Sequence, residues 1–245
     1  MALTDGLVAY WRLDEASGSR ADASGNGYTL TDNNTVGSAA GNISALAGDF
    51  IAANSESLSS TAAGLVAPFT IALPWTWVLW IYPESPIESS LSEPISSSDG
   101  SKGIMCRRRG LSAFGSSSIA WDIINNSSTF YRVEQATNTP INTWSMIALK
   151  YDGAGLAYAR TNNSTSSSVS ISGTLTPYST FRLGARANAI SGSFWDGRVA
   201  HVGLWSRALT SGELDTLYNS GAGMDPTNSQ SIVPHMSAGY HWWAL

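Results

Sequence analysis

The sequence predicts an all-β chain folded as a two-sheet antiparallel sandwich or jelly roll, with one short helix near its C-terminal end and an irregular tail. Three observations predict it. Short apolar stretches with two-residue alternation recur along the chain. Clusters of Gly, Asn, Asp and Ser separate them. Only "TSGELDTLYNSG" carries helical signals. The 245 residues suit one large β unit, read here as a domain over 1–222 and a tail over 223–245.

The elements follow in order. "LVAYWRL" alternates, with Ala9, Trp11 and Leu13 on one face and Val8, Tyr10 and Arg12 on the other. "DASGNG" then places Asp22, Ser24 and Asn26 at alternate positions before Gly27. That spacing matches the front half of a calcium loop, where alternate oxygens face the ion. It equally matches a polar turn. A full helix–loop–helix calcium loop needs a bidentate Glu at its twelfth position, which here is Asn33. "WTWVLWIY" is apolar on both faces, as a strand covered on both sides is. "ESPIESSLSEPISSSDGSKG", residues 84–103, reads as an inserted exposed loop. "WSMIALKY" is a strand ending in the turn signal "DGAG". "TNNSTSSSVS", residues 161–170, reads as a polar turn or solvated edge. "STFRLGA" and "WDGRVAHVGLW" are further strands. In the helix, Thr210 or Ser211 is the N-cap, Leu214, Leu217 and Tyr218 form the apolar stripe, and Gly221 ends it.

Composition narrows the function. Charged residues are 13% of the chain, about half the usual ~25%, and Gly, Ser, Thr and Asn fill the gap, a pattern suited to extracellular or virion β proteins. The net charge of −5 excludes the basic footprint of a nucleic-acid binder. Arg107-Arg108-Arg109 reads as a solvated strand end, or as a contact for an acidic partner. Cys106 is the single cysteine, a buried inert thiol without an intrachain partner. No apolar stretch is long enough to span a bilayer as a helix. "MALTDGLVAYW" lacks the pattern of a secretory leader, so the chain reads as made and folded inside a cell.

Several blocks resemble laminin-G-like, concanavalin-A-like jelly-roll domains. "GLVAYWRLDEASGSRADASGNGYTLT" is similar to that family's opening strand and turn, and "FTIALPWTWVLWIYPE" and "NTWSMIALKYDG" to its central strands. "FWDGRVAHVGLWSRALTSGELDTLYNSG" is similar to its closing strand and helix. The resemblance spans about residues 5 to 222. It implies two antiparallel sheets packed face to face, with the first and last strands adjacent. Members bind glycans, bind proteins or are structural. Many have an "(I/V)-D-D-V" strand opposite the first turn, where this chain has Val199-Ala200-His201-Val202. A structural Ca²⁺ held by Asp14, Asp22, Ser24 and Asn26 is therefore weakened, and an Asx-type turn is preferred. No cofactor is required.

Glycosidases of this fold carry paired carboxylates. The Glu-x-Asp-x-x-Glu pattern they use has its nearest match in "ELDTLY", which lacks the second Glu and lies on the helix. The three histidines are scattered. The chain is therefore read as non-catalytic. Trp11, Trp77, Trp80, Trp144 and Trp205 lie in strand patterns and belong to the core. Trp121 and Trp195 border polar turns, so with Asp196 they are the candidates for sugar stacking, core or rim packing being their plainer role. Tyr240, Trp242 and Trp243 make the tail apolar at its end and mark it as an assembly anchor. The expectation is a virion surface or decoration protein, homo-oligomeric and joined to capsid or other virion proteins, with glycan binding in reach. The alternative is a carbohydrate-binding module of an extracellular bacterial protein.

Overall fold

The computed structural model describes residues 1–85, 92–109, 118–135, 137–164, 167–189 and 192–228. The tail residues Tyr240, Trp242 and Trp243 lie outside these, so the anchor expectation falls outside the described residues.

The strands are β1 Leu7–Trp11, β2 Thr31–Asn33, β3 Gly37–Ala40, β4 Leu46–Phe50, β5 Ser57–Ser60, β6 Trp75–Pro83, β7 Ile95–Ser98 and β8 Gly103–Arg109. They continue as β9 Ser118–Ile124, β10 Phe130–Gln135, β11 Ser145–Tyr151, β12 Leu156–Thr161, β13 Ser167–Ser170, β14 Phe181–Leu183 and β15 Gly197–Trp205. Two helices accompany them, α1 Ala63–Val66 and α2 Ser211–Tyr218. Eight strands form a back sheet in the order β13-β12-β11-β6-β15-β4-β3, with β1 also on β15, and seven form a front sheet, β10-β9-β8-β7-β14-β5-β2. β1, β6 and β15 pair with their neighbours antiparallel.

The inner faces meet in one apolar core. Trp77 sits at its centre, edge-on to Phe69, Trp121 and Phe181 with ring centroids 5.4, 6.3 and 5.8 Å away. β1 keeps the expected faces: Ala9, Trp11 and Leu13 enter the core, while Tyr10 and Arg12 turn outward. A bulge between Leu7 and Ala9 shifts Val8 to the core side. β6 is covered on both sides, as its sequence indicates. Trp75, Trp77, Leu79 and Ile81 face the core. Val78 and Trp80 join a second cluster with Trp205, Leu209, Leu214 and Leu217 beneath α2. Tyr218 stacks on Trp80 at 5.9 Å and 9°. Trp144 is only half-buried, at the margin of that cluster against Tyr82.

α2 forms because its ends are chemically closed. The Thr210 hydroxyl accepts from the Glu213 N–H, and the Glu213 carboxylate accepts from the Thr210 N–H, a capping box. The helix stops at Asn219, in the left-handed region at φ 46°, two residues before the expected Gly221.

Two insertion readings come out differently. Residues 167–170 are the half-exposed edge strand of the back sheet. Within 84–103, by contrast, "ISSS" is the buried strand β7, paired with β8 and β14. Its serines gave no alternation to read. Ser96, Ser97 and Ser98 are nonetheless fully buried, with hydroxyls bonded to local carbonyl groups.

Candidate functional site

The outer faces of the two sheets differ in kind. The middle of the back sheet is sealed by α2 and its apolar cluster. The front sheet instead carries a charged lattice that is itself buried and reaches solvent along β10. Ile119, Trp121 and Ile123 of β9 point into the core, so Ala120, Asp122 and Ile124 face outward. By the same parity, Met105 and Arg107 of β8 and Phe130, Arg132 and Glu134 of β10 share that outer face.

Asp122 is the hub. Arg132 donates to both of its oxygens, Nε to Oδ1 at 2.6 Å and Nη2 to Oδ2 at 2.9 Å. This is the bidentate geometry of a strong pair. Arg107 Nε lies 3.3 Å from Asp122 and 3.5 Å from Glu93, bridging the two acids. Arg186 closes the other end, with Nε and Nη2 on Glu93 Oε1 at 3.0 and 2.8 Å. Glu93 Oε2 is buried without a hydrogen-bond partner. Burial pushes the Glu93 carboxyl up, against the hydrogen bonds and charges of Arg186 and Arg107. Burial likewise pulls Arg107 down, against Asp122 and Glu93. The hydrogen bonds that Arg132 donates to Asp122 push its guanidinium up, against burial.

Phe130 ends this row. It is 51% exposed and stands two residues from Arg132 on the same face of β10. Arg132 has a third of its side chain in solvent. An open aromatic face beside a fixed guanidinium is the pairing that binds a polar ring: apolar contact from one, directed hydrogen bonds from the other.

The structure corrects several sequence expectations. Trp121 and Trp195 are 0% and 1% exposed, so neither ring can stack on a sugar at the surface. Trp121 has inward parity in a central strand, and Trp195 is drawn in by its backbone N–H bond to Gly184 O at 2.8 Å. Asp196 braces loops, accepting from the Ala52 N–H at 3.3 Å and from the Ser85 hydroxyl. Arg107 and Arg108 are not a solvated strand end. Arg107 is the bridge just described. Arg108 points inward, donates to the carbonyls of Ser85 and Thr139, and is pulled down by burial to about 10. The Arg109 side chain lies outside the described residues.

The four oxygen-bearing residues considered for Ca²⁺ do not converge. Asp22 Oδ1 accepts from the N–H groups of Tyr10 and Ser24, and Oδ2 from that of Tyr28. Asn26 donates through Nδ2 to the carbonyls of Leu7 and Val8. Asp14 is exposed and takes no part. The stretch ties the first turn to β1 in the manner of an Asx turn, and its lone pairs and donors are directed at backbone. Among the described residues, no three His, Cys, Asp or Glu side chains gather as metal ligands.

His201 stands where the resemblance places an acid. It lies in a bulge of β15, with φ 48°. Its ring is held by the Tyr10 hydroxyl at 2.7 Å and the Ser44 hydroxyl at 3.0 Å. Arg12 beside it pairs with Asp225 at 2.6 Å and Thr227 at 2.7 Å, fastening the segment after α2 to β1. No sequence pattern pointed to this group. Glu93 and Asp122 were equally hidden, since their partners come from separate strands.

Two antiparallel sheets packed face to face in this order form a jelly-roll sandwich. A family model described as the concanavalin A-like lectin/glucanases superfamily matches residues 52–215, and the chain belongs to that superfamily. Among solved structures, the binding domain of Paraclostridial Mosquitocidal Protein 1 is similar, at 15% identity and TM-score 0.69, over 89% of this chain and 53% of that one. The botulinum neurotoxin type G receptor binding domain follows at 15% identity and TM-score 0.64, over 88% and 51%. The binding domain of botulinum neurotoxin DC in complex with SialylT has 10% identity and TM-score 0.65, over 89% and 52%. These likenesses establish the fold, and this chain spans about half the length of each. No curated protein matches it.

Proposed function

We propose that the chain is a non-catalytic glycan-binding module whose contact surface is the β10 edge of the front sheet, centred on Phe130 and Arg132. The observation that carries this reading is the bare Phe130 ring beside a guanidinium already oriented by Asp122. Glycans are bound by such a pairing because a pyranose offers an apolar C–H face and a rim of hydroxyls. Catalysis is disfavoured by the state of the acids. Glu93 and Asp122 are both fully buried under arginines, so neither is placed to protonate a glycosidic oxygen. The receptor-binding role named for the similar toxin domains is consistent with this reading. On a glycan array the wild-type chain is expected to bind at least one class of saccharide. Phe130→Ala or Arg132→Ala should each weaken that binding about tenfold, roughly 1.4 kcal/mol. Absence of any wild-type binding overturns the proposal.

The setting that we propose is a virus or phage particle, with the module joined to capsid or other virion proteins as a homo-oligomer and turned outward. The support is compositional: only 13% charged residues on a Gly- and Ser-rich chain, together with Tyr240, Trp242 and Trp243, which make the end of the sequence apolar. Removing residues 229–245 leaves the Arg12–Asp225 clamp in place. That deletion is expected to abolish particle or oligomer association, read by co-sedimentation and light scattering, while the circular dichroism spectrum is kept. Unchanged association would end the anchor idea.

A further inference from the structure

A second polar recess lies on the opposite sheet, away from Phe130. It has a volume of about 430 Å³, within the range of small-ligand sites, and is walled by Lys150, Tyr158, Arg160, Asn163, Ser164 and Asp215. Lys150 and Tyr158 are cross-strand partners on β11 and β12. Their side chains leave the sheet on its outer face, beyond the margin of the apolar cluster under α2. The walls are unequally committed. Arg160 is fixed by the Asn162 carbonyl at 2.7 Å, by the Ser211 carbonyl at 3.4 Å and by the Asp215 carboxylate. Asp215 is thus neutralised. Lys150 has no ion pair within the described residues, and its ammonium rests 4.9 Å from the centroid of the Tyr158 ring. Asn163 likewise makes no hydrogen bond within the described residues.

The recess therefore holds one positive charge without an ion-pair partner among the described residues, a half-buried aromatic wall, the Asn163 amide, and the Ser164 hydroxyl, whose oxygen accepts from the Thr161 N–H at 3.3 Å and whose proton is left to donate. We infer that it is a binding site for an acidic saccharide unit, a pyranose carrying a carboxylate. The carboxylate meets the Lys150 ammonium, a compact charge with three donors. Asn163 and Ser164 meet the ring hydroxyls, and the Tyr158 ring supplies the apolar wall. A simple inorganic anion would use Lys150 and leave the amide and hydroxyl groups idle. A neutral sugar would leave the charge uncompensated. The site lies on the other sheet from the Phe130 surface and stands independently of it.

The test is a two-dimensional amide NMR titration of the full chain at low salt with sodium glucuronate, glucose and sodium acetate. Glucuronate is expected to shift the signals of Lys150, Tyr158, Asn163 and Ser164 saturably, with glucose and acetate at least tenfold weaker. Lys150→Glu should lower glucuronate affinity at least tenfold, and Tyr158→Ala should lower it too. Phe130→Ala should leave it unchanged, which separates this site from the front-sheet surface. Equal response to acetate would overturn the saccharide assignment in favour of a bare anion site. No shift at these residues with glucuronate, or equal affinity in Lys150→Glu, would overturn the site altogether.

Discussion

Replacing Asp122 by Ala is expected to lower folding stability by about 3–5 kcal/mol, the range for breaking a buried ion pair from one side. The side chain is fully buried and holds Arg132 at two points and Arg107 at one. Removing it leaves Arg107 with Glu93 as its neighbour, which Arg186 already occupies. The guanidinium then sits in a poorly solvated place with less compensation. Arg132 is partly in solvent and can rehydrate, which pulls the expected cost toward the lower end of the range. Urea unfolding measures the effect as a shift in midpoint at unchanged slope. A double variant, Asp122→Ala with Arg107→Met, should recover part of the loss, because the stranded charge goes too. A loss below about 1 kcal/mol in the single variant would show that the lattice holds its place by other contacts.

The second large effect is on pH. Burial depresses the His201 imidazole to about 4 in the folded chain, against an ordinary value near 6.5, with Asp225 and Asp14 opposing and Arg12 assisting. The neutral ring is the form the fold accepts, between the Tyr10 and Ser44 hydroxyls. For a base lowered on folding, the contribution is intact above about pH 6.5. It is lost as pH falls from there toward about 4. The full loss is about 3 kcal/mol, since the unfolded chain takes up the proton first. His201→Asn tolerates the left-handed backbone at this position. It should flatten the stability profile between about pH 6.5 and 4, even though its stability at pH 7 is lower. The carboxylates, Glu93 with its raised value among them, are the same in both proteins, so the difference between wild type and variant isolates the imidazole. Parallel profiles would refute the assignment.

The strands could be read directly because burial follows alternation. β1, β6 and β15 show their inner residues in the sequence, and the doubly apolar "WTWVLWIY" foretold a cover that α2 provides. The capping box could be read because Thr210 and Glu213 are three residues apart and interact locally. What was hidden depends on pairs brought together by the fold. Arg107 reads as surface until Glu93 and Asp122 arrive from a preceding loop and from β9. Serines in β7 read as loop because hydroxyls bonded to nearby carbonyls can be buried without an apolar side chain. Trp121 reads as a turn neighbour because its strand is flanked by "NNSS". The parity that sends it inward is fixed by Ile119 and Ile123. Phe130 was passed over because a lone exposed aromatic has no pattern.

The pairing of β1 with β15 bears on how the molecule is made. Leu7 and Trp11 stand opposite Trp205 and Val202 in the antiparallel ladder, so β1 must wait for β15. During synthesis, Ala9, Trp11 and Leu13 leave the ribosome before β15, with no partner strand to cover them. Closure of so long a loop comes before its reward, which makes the step slow. The nascent chain thus carries β1 unpaired and aromatic while residues 12–196 are made, when collision with a neighbouring chain is the competing fate. Yield should then depend on ribosome spacing and on holding factors more than on the final stability of the sandwich.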